Sequence, residues 1–465
     1  MQRTILLLIL AALSFIPTLF FYMVGEEGIY TISTLEMWHS RDWMIQTLYG
    51  INLQRPPLMN WLAIPIANLL GWSHVLIATR LLSVIATLGM AGWLYWLCRK
   101  LFGDRDFALF AALTCLSLAD LQLYRGWLAY TDPLFSFFTF GAMATLWVAS
   151  IERHRGWLFA SVVMVSCALI TKAFTAYIFY GTVVLALLWQ RNTRLFLVSP
   201  ISLIILCSTL IMPYAWFSSL PHQGGQSSSM MLNEIIIKLI PESGWDYLQR
   251  LFTYPLETAF WLSPAALLAA YLILRKRVVE PETSTDFQSV LLITGLAILP
   301  YWIAPQGGIR YLLPIYPMVA LVCARIIWRS GNAARILALR WFASVIAFKF
   351  LFALVLFPYY QHSYRGENYV TTAHVITKRT AGFPLYGKDF RSTGENIIGQ
   401  TDIDRLPLPP VQQAPENWDD GFWLGPDADE KIGKVVEKFV VAKDELYLLC
   451  RGSACAADKH PAVSE

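Results

Sequence analysis

Two adjacent carboxylic acids, Glu26 and Glu27, follow directly on a long apolar segment, in the stretch FFYMVGEEGIYTISTLEMW. Two neighbouring acids repel when both are charged, which raises the proton affinity of one or requires a nearby cation. A carboxylate that is desolvated beside its reactant suits general-base catalysis. The alternative is that one acid stabilises the start of a helix through the helix dipole, worth about 0.3–1 kcal/mol. The pair is the first candidate for a reactive site.

Asp132 is a further acid at the edge of an apolar segment, in YRGWLAYTDPLF. Its position before Pro133 is typical of a helix N-cap, a place that Asp favours. A carboxylate at membrane depth is costly, however, and by default indicates a functional role. Asp120, in SLADLQ, is a weaker candidate of the same kind.

Several basic residues, like these acids, lie at the ends of apolar segments that are predicted below to face the outer side of a membrane. They are Arg55, Arg125, Lys172 and Arg310. Any one of them could extend its charge to lipid headgroups. Several that converge on one cavity would instead bind a phosphate. In GGIRYLLPIYPMVAL, Pro314 and Pro317 should bend the segment and open backbone groups into such a cavity.

The composition of the chain indicates that most of it lies in a membrane. The chain of 465 residues is 56% hydrophobic and only 15% charged, whereas soluble proteins carry about 25% charged residues. The net charge of +4 is spread over short basic clusters between apolar runs. This pattern indicates membrane topology and excludes a nucleic-acid partner.

Hydropathy predicts an all-α polytopic membrane protein with about eleven transmembrane helices. The predicted spans are 4–24, 74–98, 107–124, 133–150, 157–171, 173–189, 195–218, 256–274, 287–304, 310–328 and 341–359. Residues 56–71 are interrupted by prolines and predict a helix at the membrane interface. The helical spacing of Ile29, Ile32, Leu35 and Trp38 predicts an amphipathic surface helix in the first loop.

The basic clusters then orient the chain. With the N-terminus in the cytoplasm, alternation of the spans places them all on the inner side, as the positive-inside rule requires. The clusters are Arg99, Lys100 and Arg105; Arg153 and Arg155; Arg191 and Arg194; Arg275, Lys276 and Arg277; Arg329, Arg335 and Arg340. The acids and the C-terminus are therefore predicted on the outer side.

A small outer α/β domain is predicted over residues 361–465, after a membrane module over 1–360. KFVVAKDELYLLCRG predicts two strands around the turn AKDE, and DRLPLPPVQQAPENWDDG predicts a loop. Because an outer compartment is oxidising, Cys450 and Cys455 are predicted to form a local disulfide, with two free thiols as the alternative. The remaining cysteines are expected to be buried small apolar residues.

The order of the motifs resembles the GT-C glycosyltransferases. It runs from the acid pair through YTISTLEMWHSRDW, QRPPLMNWL, YTDP and TKAF to RYLLPIYP, over most of residues 1–330. Within that superfamily the chain is most similar to the bacterial branch of the protein O-mannosyltransferases, which includes the lipid A aminoarabinose transferases.

The resemblance implies roles for individual residues. Glu26 corresponds to the catalytic Asp of the family's Asp-Glu pair, with Glu27 as its rival, and Asp132 corresponds to the second acid. Arg55, in Gln54-Arg55-Pro56, replaces a phosphate-binding Lys and adds a bidentate fork. Lys172 matches the Lys of a Thr-Lys-Gly motif, and Arg310 and Tyr311 match a late Arg-Tyr pair, all three expected to bind the donor phosphate.

The resemblance also implies the reaction. A sugar would move from a polyprenyl (undecaprenyl) phosphate to an acceptor on the periplasmic side of the bacterial inner membrane, with inversion at the anomeric carbon. The first choice of acceptor is lipid A or another envelope glycolipid, and protein or polysaccharide are alternatives. No cofactor is predicted, although a divalent metal is possible. The acceptor pocket is expected in the loops at 219–255 and in the C-terminal tail.

Two other classes of protein remain open at this point. A secondary transporter would show repeated halves with short, interrupted spans, and the sequence has no convincing repeat. A lipid- or glycan-binding membrane protein without catalytic activity would tolerate loss of both acids.

Overall fold

The computed structural model describes residues 1–219, 243–275, 284–305 and 307–457. The chain divides into two compact units, each built from separate segments. Unit 1 comprises Met1–Ile16, Ser83–Trp127 and Thr131–Leu351, and unit 2 comprises Pro17–Leu82, Leu128–Tyr130 and Phe352–Glu465. The division of the chain into a membrane module and a soluble domain at residue 360 stays a prediction.

Unit 1 is helical throughout its described part. Its helices are Gln2–Leu13, the greater part of Val75–Phe102, Arg105–Leu116, Leu121–Arg125, Thr131–Glu152, Arg155–Thr171, Ala176–Trp189, Arg191–Leu197, Pro200–Cys207, Ser208–Leu210, Ile211–Ser219, Gly244–Trp261, Ala265–Leu274, Thr285–Ile303, Ile309–Ile315, Tyr316–Arg329 and Asn332–Leu351. Their contacting faces carry small and aromatic residues, among them Ala144, Phe140 and Trp147, which form a buried core.

The apolar helices agree with a multi-pass membrane protein. Among the described residues, seven helices are long and apolar enough to cross a membrane, or eight if one bent pair counts as a single span. The predicted count of about eleven includes shorter helices such as Arg155–Thr171 and Ala176–Trp189, and it stays a prediction. Of the predicted loop at 219–255, residues 220–242 lie outside the described residues, and the part from Gly244 onward is not a loop but belongs to the helix Gly244–Trp261.

The predicted span 256–274 is not one straight helix. Gly244–Trp261 and Ala265–Leu274 meet at an angle of 111°. The break falls at Pro264, whose ring removes a backbone donor and disfavours helical geometry in the preceding residue. Prolines also mark the predicted bend near residue 314, where the 3₁₀ helix Ile309–Ile315 passes into the α-helix Tyr316–Arg329.

Unit 2 combines helices with two small sheets. Its elements are Pro17–Phe20, Glu27–Ser40, strands Thr47–Leu48 and Ile51–Asn52, Leu58–Leu70, Trp72–His74, the first turns of Val75–Phe102, Phe352–Leu356, Phe357–Ser363, Glu367–Arg379, strand Leu385–Gly387, Ser392–Asp404, strands Gly421–Gly425, Lys434–Val441 and Asp444–Arg451, and Ala454–Ala457.

The helix Glu27–Ser40, here named the first-loop helix, confirms the predicted helical spacing. It is not a half-exposed amphipathic helix, however, because every residue from Glu27 to Met37 is buried. One side packs on the helix Ser392–Asp404, here named the tail helix, through Ile32 and Ile397. The surface prediction failed because the covering helix comes from the distant C-terminal part of the chain.

The C-terminal part of unit 2 contains the predicted mixed α/β structure. Its sheet has the strand order Leu385–Gly387, Gly421–Gly425, Asp444–Arg451, Lys434–Val441. The first pair is parallel and the others are antiparallel. The predicted hairpin is present, and Ala442 takes a left-handed backbone conformation at its turn. Cys450 and Cys455 are joined in a disulfide, with their Cα atoms 5.2 Å apart.

Candidate active site

The two adjacent acids of unit 2 lie in opposite environments. The Glu27 side chain is fully buried against Arg80, which is buried as well. Arg80 Nε donates to Glu27 Oε1 at 2.8 Å, and Nη2 donates to Oε2. The backbone amides of Val24 and Ala129 donate to the two oxygens at 2.8 Å each. Glu27 thus has a donor set that stabilises its charged form inside the protein.

Arg80 also fixes the chain that leads to the acids. Its guanidinium donates to the backbone carbonyls of Thr18, Leu19, Phe21 and Tyr22. The side-chain amide of Gln361 makes a second clamp, because it accepts from the Tyr22 amide at 3.2 Å and donates to the Tyr22 carbonyl at 3.0 Å. The segment before the acids is therefore held through its backbone carbonyls and amide by two side chains from distant parts of the chain.

Glu26, in contrast, is exposed. Its backbone amide donates to the Tyr130 hydroxyl at 2.9 Å, which sets the direction of the chain at this residue. Gly25 precedes it with φ of +58°, and a Cβ there would lie 2.3 Å from the Tyr130 hydroxyl oxygen. Only glycine meets both conditions without strain. Glu26 is therefore an accessible carboxylate on a fixed backbone.

Glu395 of unit 2 interacts electrostatically with both Glu26 and Arg55. Arg55 is exposed, whereas Glu395 is 2% exposed and belongs to the tail helix. Burial chiefly, together with the charges of Glu26 and Asp389, raises the pKa of the Glu395 carboxyl to about 7, and Arg55 opposes the increase. Three acids, Glu26, Asp389 and Glu395, and the cation Arg55 thus interact in this part of unit 2.

A second set of predicted residues comes together in unit 1. Lys172 Nζ donates to Asp132 Oδ1, and this ion pair is largely buried. Asp132 lies in the first turn of Thr131–Glu152, and Lys172 follows the last residue of Arg155–Thr171. The two helices form an antiparallel hairpin, so the start of one adjoins the end of the other. Each charge is also favoured by the dipole of its own helix.

Tyr311 joins the same set. Lys172 Nζ lies 5.3 Å from the centroid of the Tyr311 ring, and the Arg310 guanidinium carbon lies at the same distance from it. Both distances suit cation–π attraction. The structure therefore brings the predicted residues Asp132, Lys172, Arg310 and Tyr311 together within unit 1.

The weaker candidates Asp120 and Arg125 form a neighbouring ion pair. Arg125 Nη1 donates to Asp120 Oδ2 at 2.6 Å, and the Tyr316 hydroxyl donates to the same oxygen at 2.5 Å. The Arg125 guanidinium also lies over the rings of Tyr124 and Trp261. Arg125 therefore has local partners for its charge, and a structural role accounts for the pair.

The sequence interpretation missed Arg80, Tyr130 and Glu395. Arg80 is recognisable in the sequence, because it is a charge within the apolar run VLIATRLLSV and a charge in such a segment requires a partner. Tyr130 stands in the motif YTDP, but its contact with the acid segment, like that of Glu395, joins distant parts of the chain and has no local signal.

No metal centre was predicted, and that expectation stays a prediction. In the part of the chain that the structure describes, no group of three or more His, Cys, Asp or Glu side chains is placed to hold a metal ion.

The comparisons with known proteins agree with the motifs. The family model for dolichyl-phosphate-mannose-protein mannosyltransferase matches residues 2–220. The crystal structure of ArnT from Cupriavidus metallidurans bound to undecaprenyl phosphate superimposes with a TM-score of 0.70 at 15% sequence identity, over 96% of this chain and 97% of that chain. The chain has the GT-C fold.

The GT-C fold confirms the resemblance that the motif order indicated. The apo structure of the same ArnT gives a TM-score of 0.66, again at 15% identity and with the same shares of the two chains. The search of curated proteins gave no significant match. These similarities establish the fold.

Proposed function

We propose that this protein is a GT-C glycosyltransferase that moves a sugar from a polyprenyl phosphate to an acceptor. The observation that carries the proposal is the contrast between the two acids: Glu27 is buried and paired with Arg80, while Glu26 is exposed on the same fixed segment. The relative of the same fold was crystallised with undecaprenyl phosphate, which supports this class of donor.

Glu26 is the proposed base. It deprotonates or orients the acceptor oxygen, which attacks the anomeric carbon from the face opposite the leaving group and inverts that carbon. Glu27 serves a different purpose, because its oxygens already accept from Arg80 and two backbone amides. A base must reach its proton within about 2.6–3.2 Å, and the buried Glu27 carboxylate is occupied by its own donors.

The proposed leaving group is a polyprenyl phosphate, a stable anion that leaves without a general acid. Arg55 is proposed to bind this phosphate with its planar fork, which matches phosphate oxygens. Lys172 and Arg310 are proposed as further phosphate ligands. Both share the Tyr311 ring in unit 1, and cations of this kind stabilise charge that grows in the transition state. That all of these groups act on one donor stays a prediction from the sequence.

The proposed location is the bacterial inner membrane. The basic clusters support the proposed orientation, with a cytoplasmic N-terminus and a periplasmic C-terminal domain. Lipid A or another envelope glycolipid is the proposed acceptor. The proposal for lipid A rests on the resemblance to the aminoarabinose transferases, and protein or polysaccharide acceptors are the alternatives for experiment.

The test compares envelope lipids and glycans from a deletion strain that expresses either the wild-type protein or Glu26→Gln. Mass spectrometry of the complemented strain should show one sugar modification that is missing from the deletion strain. Glu26→Gln should fail to restore it, since the amide keeps the shape but takes up no proton. The matched control is Glu416→Gln, which changes an exposed acid in a loop of the same unit and should restore the modification.

Restoration by Glu26→Gln would remove this residue from the reaction. Binding of undecaprenyl phosphate to the purified protein tests the donor class separately. Arg55→Ala should weaken that binding at least tenfold, because a charge-assisted pair contributes about 1.5–3 kcal/mol. An unchanged affinity would contradict the phosphate role of Arg55.

A further inference from the structure

The tail helix lies directly against the first-loop helix. A Cβ on Gly28 would come within 2.4 Å of the backbone oxygen of Glu395, and a Cβ on Gly399 would lie 3.5 Å from Ile32 Cγ1. The contacts advance in the same direction along both helices, which are therefore parallel. Because glycine stands at Gly28, the Glu395 backbone can approach the start of the first-loop helix so closely.

Asn396 joins the tail helix to the acid segment. Its side-chain oxygen accepts from the Gly28 amide at 2.9 Å, and its side-chain nitrogen donates to the Gly25 carbonyl at 3.0 Å. The two bonds flank Glu26 and Glu27 on either side, and Asn396 is buried. The residue before it, Glu395, is thereby held at a fixed place relative to the acids.

The charged surroundings of Glu395 come from several segments of unit 2. Glu26 stands on the acid segment, Arg55 on the loop after the first small sheet, and Asp389 just before the tail helix. Tyr49 also interacts with Glu395, and its hydroxyl donates to the Asp389 carbonyl at 2.7 Å. Asp389 is itself paired with Arg391. Arg55 is the cation whose charge acts on the buried Glu395 carboxyl.

We propose that Glu395 is a further positioning residue of the candidate site, a carboxyl from the C-terminal segment that sets the charge beside Glu26 and Arg55. When Glu395 is ionised, it competes with the donor phosphate for Arg55. When it is protonated, Arg55 is available to the phosphate, and the neutral carboxyl can donate a hydrogen bond. The inference rests on the proposed function, because it takes a polyprenyl phosphate as the ligand of Arg55.

The proton equilibrium of Glu395 supports this role. Its raised pKa of about 7 means that the carboxyl changes charge within the neutral range. At lower pH Glu395 is neutral and does not compete with the phosphate for Arg55. At higher pH Glu395 is ionised and weakens phosphate binding. The effect on affinity should be roughly three- to tenfold, as expected for one charge at close range in a hydrated site.

The experiment measures the binding of undecaprenyl phosphate to the purified full-length protein at pH 5.5 and pH 8.5. Glu395→Gln replaces the carboxyl by a neutral group of the same shape. The ratio of the two affinities, variant over wild type, cancels the titration of the phosphate itself. This ratio should be near one at pH 5.5 and roughly three to ten at pH 8.5. Glu445→Gln, on the strand Asp444–Arg451 and paired with Lys438, should give the same ratio at both pH values.

A second measurement needs no ligand. An acid whose pKa is raised in the folded state binds more protons there, so stability falls as pH rises between the unfolded and folded values. The unfolding temperature of Glu395→Gln relative to wild type should therefore increase from pH 5.5 to pH 8.5. An unchanged difference, or an affinity ratio independent of pH, would overturn the role of Glu395. Failure of the wild-type protein to bind undecaprenyl phosphate would instead contradict the proposed function, and the unfolding measurements would still show whether Glu395 changes charge in this pH range.

Discussion

Arg80 holds Glu27 through both carboxylate oxygens in an ion pair with no solvent exposure on either side chain. The pair belongs to unit 2 and fixes the segment on which Glu26 stands. Of two acids that look equivalent in sequence, one is thus a structural anchor and the other is accessible. This difference separates the effects expected from mutation of each.

Loss of the anchor should destabilise the protein. Glu27→Gln leaves the Arg80 charge buried without its partner, a change that typically costs 3–5 kcal/mol. Arg80→Lys keeps the charge but loses the fork and most of the carbonyl contacts, so it should destabilise too. Thermal unfolding in detergent measures both, and Glu26→Gln is the matched control because Glu26 is exposed. Equal unfolding temperatures for Glu27→Gln and wild type would contradict the anchor role.

The buried pair of unit 1 should show stronger coupling than an exposed pair of the same unit. In a double-mutant cycle, Asp132→Asn and Lys172→Met should each destabilise, and together they should cost less than the sum by about 1–3 kcal/mol. Lys100 and Glu152 form the control pair, since both side chains are more than a third exposed. Their coupling should be about 0.2–1 kcal/mol. Equal coupling in both cycles would count against a special role for Lys172.

Stability should decrease with rising pH because of Glu36 on the first-loop helix. Burial raises the pKa of this carboxyl from 4.5 to about 7, while bonds from Thr47 and from backbone amides oppose the increase. The folded state therefore binds more protons, and stability is lost as pH rises from the unfolded value towards 7. The full effect of such a shift is on the order of 3 kcal/mol.

Glu36→Gln should remove that loss, with a higher unfolding temperature than wild type at pH 8 and little difference at pH 5. The buried Asp402 lies on the facing tail helix; burial raises its pKa, the Glu36 charge raises it further, and Arg405 opposes this. Asp402→Asn should therefore change stability in the same direction. Glu416→Gln, in an exposed loop, should show no such dependence. A constant difference between Glu36→Gln and wild type across this range would refute the prediction.

The close approach of the two helices should make Gly28 sensitive to the smallest side chain. Gly28→Ala places a methyl group 2.4 Å from the Glu395 backbone oxygen. Because this oxygen belongs to the backbone, the clash is relieved only if the tail helix moves. We expect a lower unfolding temperature and a lower affinity for undecaprenyl phosphate in Gly28→Ala than in wild type. Gly92→Ala is the control, because a Cβ there meets nothing within 4 Å and alanine favours helices. Comparable stability of the two variants would show that the helices separate at little cost.

Much of the fold follows from local sequence. Apolar length predicts helices such as Val75–Phe102 and Thr131–Glu152 close to their observed bounds, because each helix satisfies its own backbone in an apolar surrounding. The hairpin of Lys434–Val441 and Asp444–Arg451 follows from alternation around a short turn. The bend at Pro264 is also visible in the sequence, because a proline inside an apolar stretch disrupts a helix. Hydropathy averaged over a long window does not detect it.

The candidate site was only partly predictable, for a physical reason. Glu26, Asp132 and Lys172 are charges at the ends of apolar segments, so their cost at membrane depth makes them visible in the sequence. The different environments of Glu26 and Glu27 depend on Arg80, and the environment of Glu26 depends on Glu395. Such pairings arise from tertiary contacts, which leave no periodicity or spacing in either partner segment.

Unit 2 is assembled from an early, a middle and a late segment of the chain, and this has a consequence for biosynthesis. The acids emerge from the ribosome within the first tens of residues, but the Asn396 bond to Gly25 spans 371 positions. Contacts of such long range form late. A nascent chain therefore carries Glu26, the proposed base, without the groups that orient it, and we expect it to stay inert until translation is nearly complete.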